Sequence, residues 1–343
     1  MMRTDYEGAI ATAREAIRLQ REFDPAPHPA ISTGLNTVAL SLRMLGRHDE
    51  ARPIFAELLD EELRLTGEES ARFAGFLVSA SNVELDTGRA GEAIAILERA
   101  AGIFERTAPA TFGNALVCLD KLANAYERAG RGDDALVTLR KRQLAVEEAF
   151  GPASWQALAN RVRIAQRHDA RGDEPAAREE WAAALQRASE AQQAADDGWE
   201  CTAAALLAGL EARRGACESA RELVARARGL RDDQQLATAA EAWTRLAAGM
   251  AAECDGELDR ARQELEPLAE AARGPAGGEV ACALARARLA RALAPIEPDP
   301  AVELALRARG ELAELLGADH PRTVELAAWI EAQPAAAAST GER

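Results

Sequence analysis

Aromatic residues make up only 4% of this 343-residue sequence, which holds four histidines and five cysteines. Apolar residues reach 48%, with alanine throughout, so closely packed helices with small side chains are favoured over a core of large rings. The cysteines (Cys118, Cys201, Cys217, Cys254 and Cys282) are odd in number and contain no Cys-x-x-Cys pair. They suggest neither a disulfide framework nor a zinc site, and reduced, mostly buried thiols are expected. His48 and His168 stand apart from any second ligand at metal-binding spacing, so a turn residue and a helix-packing residue are expected there, and no metal.

Long apolar runs are also missing. The longest covers about ten residues, Cys201 to Leu210, well short of the roughly 18 that a membrane span needs. Asp5 and Glu7 stand where a secretory leader would be apolar, so a soluble, cytoplasmic protein that avoids membranes is expected. Positive charge is in deficit: 41 Lys and Arg against 56 Asp and Glu leave a net charge of −15, which opposes nucleic-acid binding. Paired carboxylates, a nucleophile with its base, a phosphate-binding glycine loop and a metal cluster are all lacking. The expectation is a protein that is not an enzyme and needs no cofactor.

What the sequence does contain is a repeat. Glycines separate apolar segments at Gly46, Gly88, Gly130, Gly172, Gly215 and Gly256, at intervals of 42, 42, 42, 43 and 41. Five residues after each stands an alanine, from Ala51 and Ala93 through Ala135, Ala177, Ala220 and Ala261. Seven residues before each the side chain is small: Ala39, Ser81, Ala123, Ala165, Ala208 and Gly249. Four residues beyond each alanine comes a bulky group: Phe55, Leu97, Leu139, Trp181, Val224 and Leu265. Two helices that cross closely need this alternation, a small residue where backbones approach and a knob to fill the groove. Alanine, leucine, arginine and glutamate at helical spacing exclude propeller blades of similar period.

The small residue, the turn glycine and the alanine that follows favour tetratricopeptide over HEAT repeats. The chain resembles the long-helix tetratricopeptide repeats of the kinesin light chain type, most visibly at His28-Pro29 with Thr33 to Ala39 and at Leu316 to Thr323. In these His-Pro pairs, Asp319 is expected to accept the free N–H groups of the next helix, with Pro321 in its first turn and His28 and His320 flanking. The resemblance implies an all-α fold, a right-handed α-solenoid superhelix of antiparallel helix pairs.

The expected organisation is a single solenoid over residues 1–334. A half repeat at 5–23 precedes pairs starting near 29, 69, 111, 153, 198, 234 and 278, then a final helix from 321 and a disordered tail at 335–343. A bend is expected near residues 273–278, where Gly and Pro cluster. The unpaired first helix implies either an incomplete repeat or a segment of something longer. Its apolar side (Ile10, Ala13, Ile17) is expected to be covered by a second copy, as a weak homodimer, or by an upstream domain.

By the resemblance, the first helix of each pair lines a concave face. One position there gives Asn82, Asn124 and Gln166, and the position three residues earlier gives Thr37, Ser79, Lys121 and Arg163, with Asn36 as a neighbour. Residues three apart share a helix face, so Lys121 joins Asn124 and Arg163 joins Gln166. An amide donates and accepts, and so can pair with any peptide bond. The resemblance implies that such amides clamp the backbone of an extended peptide while cations hold its carboxylates. The competing reading is a solvated or helix-packing row. Arg43, Arg128 and Arg213 accompany Asp86, Asp120, Glu127 and Asp169 on this face. Trp181 is read as core and Trp243 as a candidate surface anchor. The function implied is a non-catalytic scaffold or adaptor for another protein or an extended peptide; the alternative is a peptide-sensing receptor that acts on a separate effector.

Overall fold

The computed structural model describes residues 5–107, 112–190, 199–233, 238–271, 278–318 and 320–333. Asp319, the expected bend and the expected tail at 335–343 lie outside the described residues. Those described form sixteen helices and no strand, and none of the helices is long and apolar enough to cross a membrane. The chain divides into two compact units, Met1–Ala145 and Val146–Arg343.

The first unit comprises α1 (Tyr6–Phe23), α2 (Pro29–Met44), α3 (His48–Thr66), α4 (Ala71–Asp86), α5 (Ala90–Thr107), α6 (Phe112–Arg128) and most of α7 (Gly132–Phe150). The second comprises α8 (Trp155–Ala170), α9 (Glu174–Glu190), α10 (Trp199–Arg213), α11 (Cys217–Asp233), α12 (Thr238–Cys254), α13 (Leu258–Glu270), α14 (Glu279–Leu293), α15 (Pro298–Leu316) and α16 (Pro321–Glu331). Even-numbered helices are the first members of the pairs and odd-numbered ones the second, with α1 a second member that packs on α2.

The repeat positions explain the pairing. All six turn glycines hold φ between +72° and +77°, a left-handed conformation open to glycine at no steric cost. The residue after each glycine donates its N–H to the carbonyl five residues back, as in Arg47 to Leu42, Arg131 to Tyr126 and Ala216 to Glu211, at 2.8 to 2.9 Å. Each first helix is therefore closed by a 6→1 bond that also aims the chain into the second helix. Ala51, Ala93, Ala135, Ala177 and Ala220 are wholly buried, and so are the small residues Ala39, Ser81, Ala123, Ala165 and Ala208. Gly249 shows why that position stays small: a Cβ there would lie 2.7 Å from both Cγ and Cδ2 of Leu265, the knob of the same pair.

Three expectations are corrected. The first concerns α1, whose Ile10, Ala13 and Ile17 are buried against Ile31, Leu35 and Val38 of α2. One amphipathic helix is satisfied by the first member of the next pair, so this face needs no second copy or upstream domain. The second concerns the thiols: Cys217 and Cys254 form a disulfide with Cα atoms 5.5 Å apart, while Cys118, Cys201 and Cys282 are free and buried. Cys217 opens α11 and Cys254 closes α12, and antiparallel neighbours bring those ends together although 37 residues separate them. The third concerns the His-Pro pairs, where the histidines are themselves the caps. His28 Nδ1 accepts the Ala30 N–H at 3.1 Å, and His320 Nδ1 accepts that of Arg322 at 3.2 Å. Proline at the first helical position presets the turn that puts the imidazole within reach.

Candidate functional site

In the first unit the candidate row lies on α2, α4 and α6. Thr37 is exposed, whereas Asn36, Ser79, Asn82, Lys121 and Asn124 are half-buried. The hydroxyls of Thr37 and Ser79 donate back to their own helices, to the Thr33 and Gly75 carbonyls at 3.0 and 3.1 Å, which leaves their oxygens free to accept. The structure brings Lys121 and Asn82 together: the Lys121 ammonium donates to Asn82 Oδ1 at 2.6 Å. The Asn82 amide N–H in turn donates to the Ser79 carbonyl at 3.0 Å, so this asparagine is oriented from both sides. Asn36 Oδ1 is buried without a hydrogen-bond partner.

Charges around Lys121 are mixed. Burial lowers its pKa, Arg43 nearby lowers it further, and Asp120 and Asp86 oppose the shift. Arg43 is occupied by Asp86, its Nε 2.5 Å from Oδ2, and Arg128 donates to the Leu85 carbonyl at 2.9 Å. Arg43 ties α2 forward to α4, and Arg128 ties α6 back to α4. Arg43 and Arg128 thus serve the stack, while the Lys121 ammonium donates to an uncharged amide.

Arg163 and Gln166 belong to α8 and hence to the second unit, where both are half-buried. Three residues beyond Gln166, Asp169 is held by two guanidiniums, those of Arg213 on α10 and Arg322 on α16, with its side chain only 8% exposed. Asp169 and Arg322 are 153 residues apart, so within this unit an ion pair bridges the first and last even-numbered helices. Burial pulls the Arg213 guanidinium below its ordinary value, with Arg322 and Arg288 adding to the effect and Asp169 opposing it. Burial, Arg322 and Arg167 likewise push His320 down to about 4, against Asp169, which keeps its ring neutral to cap α16.

Beside this cluster is a cavity of about 120 Å3 with Trp243 in its wall. Its residues on α14 and α16, including Arg288, Arg291 and Arg322, went unnoticed in the sequence because the repeat register is irregular there. Trp243, Trp181 and Arg213 are the lining residues that the sequence singles out. Trp181, 1% exposed, occupies the knob position and also borders the cavity.

No protein-family model matches the sequence, and no curated protein matches it. Solved structures do. The apo form of RapI is 13% identical, over 82% of this chain and 99% of that one, with a TM-score of 0.58. The apo form of the quorum sensor NprR from B. thuringiensis is 14% identical, over 88% and 82%, also at 0.58. Aspartyl phosphate phosphatase F from Bacillus subtilis is 12% identical, over 84% and 73%, again at 0.58. The fold is a tetratricopeptide-type solenoid. At these identities the likeness establishes architecture, and folds of this kind host unrelated functions.

The row of Asn36, Thr37, Ser79, Asn82, Lys121 and Asn124 combines amides, a cation and hydroxyl acceptors on successive first helices of the first unit. That set can meet the alternating N–H and C=O groups of an extended chain, whatever its side chains are.

Proposed function

We propose that this protein is a non-catalytic scaffold that holds an extended peptide, or such a segment of another protein, on the first-helix faces of its repeats. The observation that carries the reading is the Lys121–Asn82 contact at 2.6 Å between α6 and α4. It sets a cation and an oriented amide one repeat apart, at the register where Ser79 and Asn124 supply further polar groups. Arg163 and Gln166, on α8, are proposed to offer the same chemistry within the second unit. Shared fold with a quorum sensor does not favour sensing over holding, because the architecture serves both. A cytoplasmic location is part of the proposal.

The test is retention from lysate of the source cell by the immobilised chain and by an Asn82→Ala, Asn124→Ala, Lys121→Ala, Arg163→Ala variant that melts like the parent. A protein held by the parent and lost from the variant is the expected result. Equal retention by both would move binding off this face.

A further inference from the structure

The cavity in the second unit has walls of two kinds. Trp243, Leu246 and Met250 of α12 and Leu284 of α14 provide apolar surface, while Arg213, Arg288, Arg291 and Arg322 reach it from three other directions. Arg213 and Arg322 share the single carboxylate of Asp169. Arg288 meets Glu253 at 2.5 Å and Arg291 meets Glu325 at 2.8 Å. Four guanidiniums are therefore matched by three carboxylates, and the unmatched charge sits where water is partly excluded and an anion gains most. Trp181, also on the wall, has an indole N–H buried without an acceptor.

Volume limits the occupant. About 120 Å3 is roughly four times the share of one water in the liquid and slightly less than the about 150 Å3 apolar cavity that accepts benzene. A short branched chain or one small ring fits, and an extended peptide does not.

We infer that this cavity binds a compact apolar group bearing a single carboxylate, with the apolar body against Trp243 and Leu246 and the carboxylate toward Arg291 and the Asp169-linked arginines. The inference is independent of the peptide-holding face on α2, α4 and α6. Two sources share this chemistry: a free small organic acid, and the C-terminal residue of a polypeptide that ends in a branched side chain.

The full chain is titrated with 4-methylpentanoate and benzoate, with the matching amides, and with a short peptide ending in leucine, as free acid and as C-terminal amide. Binding is read by calorimetry and by tryptophan emission, since Trp181 and Trp243 border the cavity. The acids should bind about 10- to 100-fold more tightly than their amides, as expected when a charge-assisted contact is lost. Preference for the small acid or for the peptide acid identifies the source, and either supports the carboxylate assignment. Acid and amide binding alike, or no binding of either up to about 10 mM, overturns it.

Two variants check the location. Arg291→Gln removes a partly exposed cation whose partner Glu325 remains in solvent, and should weaken acid binding at least about fivefold while leaving the amides unchanged. Gly209→Leu places its Cβ in ordinary contact with Met250 at 3.5 Å and fills the cavity, so it should abolish acid binding. Undiminished acid binding in Arg291→Gln, or in a Gly209→Leu protein that melts like the parent, would rule this cavity out.

Discussion

Arg128 in the first unit and Arg213 in the second each stand two residues before a turn glycine, and each reaches back one repeat. Arg128 finds a backbone carbonyl, that of Leu85, at 2.9 Å. Arg213 finds the carboxylate of Asp169, which it must share with Arg322 from the far end of the same unit. The same repeat position therefore gives a neutral stitch in one unit and an ionic cluster in the other. The difference comes from what else reaches that place. In the second unit Arg322 of α16 reaches Asp169 of α8, and Arg322, Glu325 and Leu326 of α16 also line the cavity. α10, at the centre of that unit, is buried on all sides over Ala203 to Glu211.

The largest effect is expected where the second unit buries charge. Arg286 is 1% exposed; its guanidinium donates to the Ala269 carbonyl at 2.8 Å and to that of Ala271, and pairs with Glu311. Arg286→Ala leaves the Ala269 and Ala271 carbonyls without their donor and Glu311 with Arg307 alone, and should cost about 3–5 kcal/mol by urea unfolding. Hydrogen exchange should place the loss in α13 to α15. An even loss across both units would erase the contrast between them.

Next in size is the feature the units share. Gly130→Ala and Gly215→Ala force left-handed backbone on a residue with a Cβ, and should each cost about 1–2 kcal/mol. Equal costs measured by denaturant midpoint would establish that the turns are equivalent, whereas unequal costs would show the two units straining them differently.

Gly249→Ala sets overpacking against Leu265, about 1–3 kcal/mol, against a helix-propensity gain of about 1 kcal/mol. A net loss of about 1 kcal/mol is expected, and a stabilised variant would show that Leu265 can move aside.

The smallest effect is confined to a pH window. His320 has a folded pKa of about 4 against an ordinary 6.5, so the unfolded chain binds the extra proton in between. Its contribution is present above about 6.5 and fades as pH falls toward 4. Melting of His320→Asn, which retains a capping side chain, should depend less on pH in that window; an unchanged slope would refute the assignment.

Much of the fold was legible in the sequence because its causes are local or periodic. Gly46 through Gly256 mark turns that only glycine closes without strain, and Gly249 facing Leu265 is the small-and-bulky rule at its extreme. The Cys217–Cys254 bond, the sharing of Asp169 and the burial of Arg286 depend on which helices meet in space, which a period cannot state. Of the candidate row, the position of Asn82 and Lys121 on neighbouring first helices could be read from the register. Their direct contact could not, since it depends on side-chain reach across two helices.

The most direct test of the central claim uses a library of extended peptides presented to the parent chain. The strongest binder is then measured against Asn82→Ala, Lys121→Ala and the double variant, each with the parent's melting temperature. The account predicts that each single change weakens binding and that the two losses are not additive, because the ammonium and the amide act as one contact. Peptide affinity unaltered in all three variants would contradict it.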